Sequence, residues 1–397
     1  MSDISQFTDA ERQQQLELLR ASAAAFAAKE SPLPRARALR GKPPGFDPGF
    51  WNALVQQGWT GLLVPEAAGG FGQGFAEMAE VVMALASQVA PEPVTPVLVF
   101  AGGILKRCAE QPTARRLLGE LAEGRTLPAV AWQEDVTGQA SLDAGGGLAD
   151  PASSCSAGAS GITLRGTKRH VRPGASASGY IVSASASDGP ALVWVPAETR
   201  GVSAQLQRLA DGGFAARLDF DVASLPTEHL LCRGENAREV LAGAYDEALV
   251  LAGAELLAVS RRMVAMTLDY LRTRKQFGKA IGSFQALQHR AVDMLIQQEL
   301  CGAVVAQALA ELDRGCDGPQ RACMAARVKA RCSEAALAIA RESVQMHGAI
   351  GVTDENDLGL YLQRALVLSA WLGNGGSQRR RFAALTRAGA ITEEATA

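Results

Sequence analysis

The chain has 397 residues, 48% of them hydrophobic, which is enough for two or three domains around a large core. Lys and Arg total 39 against 41 Asp and Glu, a net charge of -2. That balance gives no reason to expect nucleic acid or an anionic membrane as a bulk partner. Cys108, Cys155, Cys232, Cys301, Cys316, Cys323 and Cys332 contain no C-x-x-C spacing and read as reduced cytosolic thiols. The histidines, His170, His229, His289 and His347, lack metal-ligand spacing, so no metal site is expected. The N-terminus is polar and acidic, unlike a signal peptide, and no run of about 18 apolar residues suggests a membrane span. A cytoplasmic, soluble protein is expected.

The first third reads as helices. Thr8 stands as an N-cap with Glu11 three residues later, ahead of a stripe of Leu16, Leu18, Leu19, Ala23 and Phe26. A proline-rich connector, "PLPRARALRGKPPGFDPGF", separates this helix from "DPGFWNALVQQGW". The loop "LLVPEAAGGFGQG" then leads into "FAEMAEVVMALASQV" and "PTARRLLGELAEG", both helical. Near Leu127 the pattern changes to short β-type runs such as "PAVAWQE", "GITLRGTKRHV" and "ALVWVPA", which predict an antiparallel module. Residues 143–161 are rich in Gly, Ala and Ser and read as loop. From about Asn236 the chain is helical again, with breaks near 278–282 and 315–319, as in a four-helix bundle. The expected fold is therefore α+β: an N-terminal all-helical domain (1–126), a central antiparallel β domain (127–235) and a C-terminal four-helix bundle (236–397). No Gly-x-Gly-x-x-Gly follows a strand, so a Rossmann site is not supported.

Two stretches carry chemistry: "YLRTRKQFGKAIGSFQALQHRAVDM" at 270–294 and "ESVQMHGAIGVTDENDLGLYLQRA" at 342–365. Together with "LLVPEAAGGFGQG" they closely resemble the signatures of the acyl-CoA dehydrogenase family, over essentially the whole chain. Physically, Arg274 offers a planar fork of donors to a diphosphate, or a cation to a helix C-terminus. Phe277 offers a ring face, or core packing. By resemblance, Arg274, Gln276, Phe277 and Gln285 contact the FAD diphosphate and adenosine of a neighbouring subunit. Gln345 and the glycine-rich turn after it meet the same cofactor. An oligomer, homo- or heteromeric, dimer or tetramer, with a shared FAD site is implied, along with an acyl-CoA substrate and an electron-accepting flavoprotein. His347 and Met346 read as core.

The resemblance also shows departures. Where the family has a Thr-Glu pair at the flavin, this chain has Gln133 and Glu134 in "AVAWQED". Its Trp-x-Thr/Ser element corresponds to "KRHVRPG", with neither Trp nor Thr. The family's reaction removes a proton beside a thioester, which needs a carboxylate in hydrogen-bond reach. That glutamate belongs in "SAWLGNGGSQRRR", a stretch with the look of a ligand-holding turn, but the position is Asn374 or Gly373, depending on alignment. A second family position, at the start of the first bundle helix, is Ala248. Two glutamates lie nearby. Glu255 is two turns on, on the same face and about 10 Å along the axis. Glu247 is rotated about 100° away. Either is a candidate base, and Glu255 could instead be a buried carboxylate paired with Arg261, Arg262 or another chain. Gln378 keeps the turn recognisable and is a further FAD candidate. Arg379, Arg380 and Arg381 read as a solvated face. The expected function is FAD-dependent α,β-dehydrogenation of an acyl-CoA, as one subunit of a heteromeric enzyme or as a self-sufficient one. The alternative is a non-catalytic structural or ligand-binding paralogue.

Overall fold

The computed structural model describes residues 9–134, 142–143, 145–158 and 161–387. Thr8, the expected cap of the first helix, lies outside them. Six helices come first: α1 (Asp9–Glu30), α2 (Leu33–Leu39), α3 (Pro48–Gln56), α4 (Phe75–Ser87), α5 (Gly102–Arg107) and α6 (Pro112–Ala122). A π-helical segment, Thr95–Ala101, runs straight into α5. The sheet follows, as β1 (Pro128–Ala131), β2 (Ser154–Gly158), β3 (Gly161–Val171), β4 (Gly179–Ala186), β5 (Gly189–Pro196), β6 (Val202–Arg208), β7 (Phe214–Leu225) and β8 (Leu230–Arg233). The C-terminal part holds α7 (Glu235–Thr273), α8 (Gln285–Asp313), α9 (Gly318–His347), α10 (Leu358–Ala370) and α11 (Gly375–Arg387). Between α7 and α8 a tiny hairpin pairs β9 (Lys275–Gln276) with β10 (Lys279–Ala280).

The sheet is mixed rather than antiparallel, which corrects the sequence reading. Its order is β6-β7-β3-β2-β4-β5-β8, with β1 also on β4. Both β1 and β2 run parallel to β4. Apolar alternation identifies a strand but not its direction. The chain between β1 and β4 is long enough to cross over and return the same way, as parallel pairing requires. A second correction concerns 143–161, read as loop. Ser154–Gly158 pairs with β3, and only Cys155 of it is buried, so its small polar residues carry no hydrophobic signal. Strand period places the two sheet faces in different cores. Ile181, Leu192 and Trp194 join the helical core, whereas Tyr180, Val182 and Ala184 line the sheet's own.

In the C-terminal part α7, α8, α9 and α10 pack together, and α11 lies against α9 as a fifth helix. Helix α7, 39 residues long, is buried over most of its middle by α9, α4, α10 and α5. Helix α8 leaves Val292, Leu295, Ile296 and Leu300 exposed, an i, i+3, i+4, i+8 stripe on one face. No helix among the described residues is long and apolar enough to cross a membrane.

One buried carboxylate ties the two helical regions together. Asp313, the last residue of α8, accepts from the backbone N–H of Phe75 (2.6 Å) and Ala76 (3.3 Å) and from Arg12 Nη2 (2.9 Å). It thus caps α4 from across the fold, since Gly74 at the N-cap has no side chain to do so. Asp313→Ala is expected to cost about 2 kcal/mol of unfolding free energy. Urea midpoints measure it, and a shift worth under about 0.5 kcal/mol would show the cap to be idle.

Candidate functional site

The turn between α10 and α11 holds the position at which the family's base is expected. Helix α10 ends at Ala370, and Leu372 (φ 59) and Gly373 (φ 90) reverse the chain. Asn374 then acts as the N-cap of α11: its Oδ1 accepts from the Ser377 N–H at 2.9 Å and its carbonyl from Ser377 Oγ at 2.8 Å. The residue is at this position as a helix cap, a role asparagine fills well. Around it the backbone is pinned. Tyr245 Oη on α7 donates to the Leu372 carbonyl (2.6 Å), and Gln378 Nε2 donates to both Tyr245 Oη and that carbonyl (2.7 Å each). From α9, the fully buried Lys329 donates to the carbonyls of Ser369 and Gly373 (3.0 Å each) and to Ser333 Oγ (3.2 Å). No carboxylate balances this ammonium within those bonds, and burial pushes its pKa down to about 7.

The candidate bases are both held by arginines. Glu255 is buried; its Oε1 accepts from Thr95 Oγ1 at 2.6 Å and its Oε2 from Arg364 Nη2 at 3.1 Å. Arg364 in turn reaches Asp211 Oδ2 at 3.0 Å. The partner is thus Arg364 of α10 rather than Arg261 or Arg262. Glu247 accepts a fork from Arg107 of α5, Nη2 at 2.6 Å and Nη1 at 3.0 Å. The neighbouring Asp246 lies 2.7 Å from Arg381 Nη1 and 3.3 Å from Arg321 Nε. Arg381 is therefore buried, while Arg379 and Arg380 beside it face solvent. A groove of about 640 Å³ opens over these charges, lined by Arg107, Asn236, Glu239, Asp246, Arg321 and Arg381. A second of about 650 Å³ shares Gly146 and Arg381 and adds Arg379, Arg380 and Arg387.

On the sheet side, Gln133 is buried two residues past β1, its carbonyl accepting from the Arg169 N–H at 2.7 Å. Glu134 accepts from Lys168 Nζ (2.7 Å), from the N–H groups of Ala152 (2.6 Å) and Ser153 (2.8 Å) and from Ser153 Oγ (2.6 Å). Burial pushes Lys168 down to about 8, against the pull of Glu134. The register of β3 against β7 slips between Lys168 and Val171, and His170 takes φ 54. Such irregularities re-aim side chains. Just past this one, the Arg172 guanidinium lies over the Trp371 ring, 5.2 Å from its centroid. Burial, and after it the nearby Arg364, lowers the pKa of Arg172.

The remaining candidates sit at the far end of α7. Arg274 is its C-cap, and Gln276, Phe277, Gln285 and Gln345 are all exposed. Phe277 is 89% exposed at φ 50, edge-on to Phe284 with centroids 6.1 Å apart. A Cβ added to Gly278 would meet nothing, so the loop top is open. Nearby, His347 is buried, stacked on Tyr270 at 4.5 Å and bonded through Nδ1 to the Ser343 carbonyl. Arg274 follows Glu255 by 19 residues of helix, roughly 28 Å at 1.5 Å per residue. Within one chain the structure therefore does not bring Arg274, Gln276, Phe277, Gln285 and Gln345 to Glu255, Glu247, Gln133 and Gln378.

Family models describing the acyl-CoA dehydrogenase N-terminal and C-terminal domains match residues 13–125 and 241–385. The chain is 30% identical over 354 residues to the acyl-CoA dehydrogenase IpdE2 of Mycobacterium tuberculosis, covering 88% of this chain and 90% of that one. The chain belongs to the acyl-CoA dehydrogenase family. It is similar in fold to a variant of the steroid ACAD Tcur3481-Tcur3483, with TM-score 0.83 and 28% identity over 96% of this chain and 99% of that one. The ChsE4-ChsE5 complex of M. tuberculosis shares the fold at TM-score 0.83 and 24% identity, over 97% and 98% of the two chains. Acyl-CoA dehydrogenases are FAD-dependent oxidoreductases.

The residues present fit one half of that cofactor. Arg274, the outward Phe277 ring and the exposed amides of Gln276, Gln285 and Gln345 suit a dinucleotide's diphosphate and adenine. On the flavin side the residues differ from the family's: Gln133 and the 168–174 stretch stand where the resemblance calls for Thr and Trp-x-Thr/Ser.

Burial of Lys329 should make the stability of the fold depend on pH. Its folded pKa of about 7 lies below the unfolded 10.5, so the fold carries the cost of a buried ammonium at and below neutrality. Stability should rise with pH between those two values, where only the unfolded chain holds the proton. Lys329→Met should lose this rise, seen as a smaller gain in urea midpoint between about pH 6.5 and about pH 9 than the parent shows.

Proposed function

We propose that this chain is one subunit of a heteromeric, FAD-dependent acyl-CoA dehydrogenase, in which it grips the partner's cofactor rather than supplying the base. The observation that carries this is the state of its carboxylates. Glu255 and Glu247 each sit in an arginine fork or pair, and the turn position is a helix cap. A carboxylate whose oxygens are already engaged by arginine N–H donors is not free to face a thioester Cα–H, so neither is placed to take its proton.

The replacement of the family's flavin-contacting residues by Gln133 and by the 168–174 stretch supports the same reading. The open loop at the other end of α7 supports its positive half. Arg274 and Phe277 are presented outward, roughly 28 Å from this chain's own turn, where a second subunit can use them. Two relatives fit the pairing by name: Tcur3481-Tcur3483 and the ChsE4-ChsE5 complex. The exposed α8 stripe is the apolar surface an oligomer would cover. The steroid description of the first relative makes a bulky, steroid-type acyl group the proposed substrate class. The grooves lined by Arg107, Arg321, Arg379, Arg380 and Arg381 offer cations to the phosphates of a coenzyme A moiety.

Expression alone and together with a second dehydrogenase subunit tests this. Alone, the chain should be nearly colourless and inactive. The mixed oligomer should hold one FAD per two chains, by absorbance against protein. Arg274→Ala with Phe277→Ala in this chain should weaken FAD retention by the oligomer about tenfold or more, each tenfold being about 1.4 kcal/mol. One FAD per chain and turnover by this chain alone would overturn the proposal. Loss of mixed assembly with every partner tried, and no turnover, would favour a non-catalytic paralogue.

Glu255→Gln in the mixed oligomer is a separate test. It should leave turnover within about twofold while lowering the urea midpoint, because it removes the charge that Arg364 faces. A fall in turnover of three or more orders of magnitude would instead identify Glu255 as the base.

A further inference from the structure

Cys108 and Cys232 stand 124 residues apart in sequence, yet their sulfurs lie 3.5 Å from each other. Cys108 is the C-cap of α5, directly after the Arg107 that holds Glu247. Cys232 lies on β8, two residues before the turn into α7. The pair therefore sits where the N-terminal helices, the sheet and the central helix meet.

A disulfide needs its sulfurs about 2.05 Å apart. The approach required is therefore about 1.5 Å, within reach of side-chain rotation and a small backbone shift. Cys108 is buried and Cys232 only partly so, which leaves a small oxidant a way in from the Cys232 side. The hydrogen bond between Cys108 and Cys232 lowers the Cys108 thiol, and the Arg107 guanidinium helps against burial. The pair thus supports one thiolate next to one thiol, the arrangement from which disulfides form.

We propose that Cys108 and Cys232 form a reversible disulfide under peroxide stress, locking the α5 corner of the helical region to β8. In the first step a thiolate of the pair attacks one oxygen of hydrogen peroxide, the O–O bond breaks, and a sulfenic acid and hydroxide result. In the second the other sulfur displaces the sulfenic hydroxyl as water, and the Sγ–Sγ bond forms. Two thiols and one peroxide give one disulfide and two waters; the sulfurs lose two electrons and the peroxide gains them. A dithiol reverses the step by exchange.

The molecule contains its own control. Cys301 on α8 and Cys332 on α9 also hydrogen-bond to one another, but both are buried to 1% exposure. Chemistry alone would oxidise both pairs, whereas chemistry with access selects Cys108 and Cys232.

The lock closes a loop containing α6 and strands β1 to β7. Constraining that much chain in the unfolded state raises stability. The proposal does not depend on the subunit reading above, since it concerns this chain alone.

The full-length protein is treated with hydrogen peroxide, alkylated and mapped by peptide mass without reduction. A peptide pair joining Cys108 to Cys232 is expected, with Cys301 and Cys332 still alkylatable once the protein is unfolded. The melting midpoint should rise by a few degrees on oxidation and return with dithiothreitol. Cys232→Ser should show neither the linked peptides nor the shift. Cys108→Ser repeats the test should the first variant fold poorly. Full alkylation of both Cys108 and Cys232 after peroxide would overturn the proposal, as would linkage of Cys301 to Cys332 in preference or a shift that persists in both variants.

Discussion

Three carboxylates lie close together on one buried helix, and each must find a cation. Asp246, Glu247 and Glu255 of α7 are matched by Arg381 and Arg321, by Arg107 and by Arg364. Those arginines come from α11, α9, α5 and α10, so the charge requirement of one helix dictates the placement of four others. Buried pairs of this kind add little net stability, because desolvation offsets most of the attraction, but breaking one leaves an orphan charge. Their effect here is to fix register. A helix slid by one residue would leave a carboxylate facing apolar packing.

The same requirement shapes the site. A general base needs a carboxylate within reach of the substrate proton. On α7 both candidate glutamates are engaged by arginines. At the α10–α11 turn the residue is an asparagine that caps a helix, and the backbone around it is held by Tyr245, Gln378 and Lys329. The fold of a dehydrogenase is retained around a turn whose side chains now perform structural work. The end of α7 shows the opposite condition: Arg274, Gln276 and Phe277 make few demands on their own chain and face outward.

The sequence made the family, the helix order and the outward loop legible, because "RTRKQFGKAIGSFQ" is contiguous and its residues act locally. Glu255 was legible as a buried pair but not its partner, since Arg364 lies 109 residues away and nothing local links the two. Arg381 was hidden inside a run of three arginines; only the four-residue step from Ser377, also buried, hints that it faces inward. Lys329 could have been found the same way. It shares a helical face with Ala325, Ala326, Cys332, Ser333 and Ala336, all buried, so a lysine there must point into the core. The direction of β1 and the strand Ser154–Gly158 were not legible, because pairing direction and small polar strands leave little trace in side-chain pattern. Arg172 on Trp371 belongs to the same class as Glu255: a contact between elements far apart in sequence.

The exposed stripe Val292, Leu295, Ile296 and Leu300, with the outward Phe277, has a consequence for how the chain behaves in a cell. A protein that keeps such a face wet has a stability that depends on who else is present, because anything covering the face draws the folded population toward itself by mass action. The free energy of unfolding of this chain is therefore a property of its surroundings as well as of its own contacts, rising with the concentration of any surface that covers the stripe.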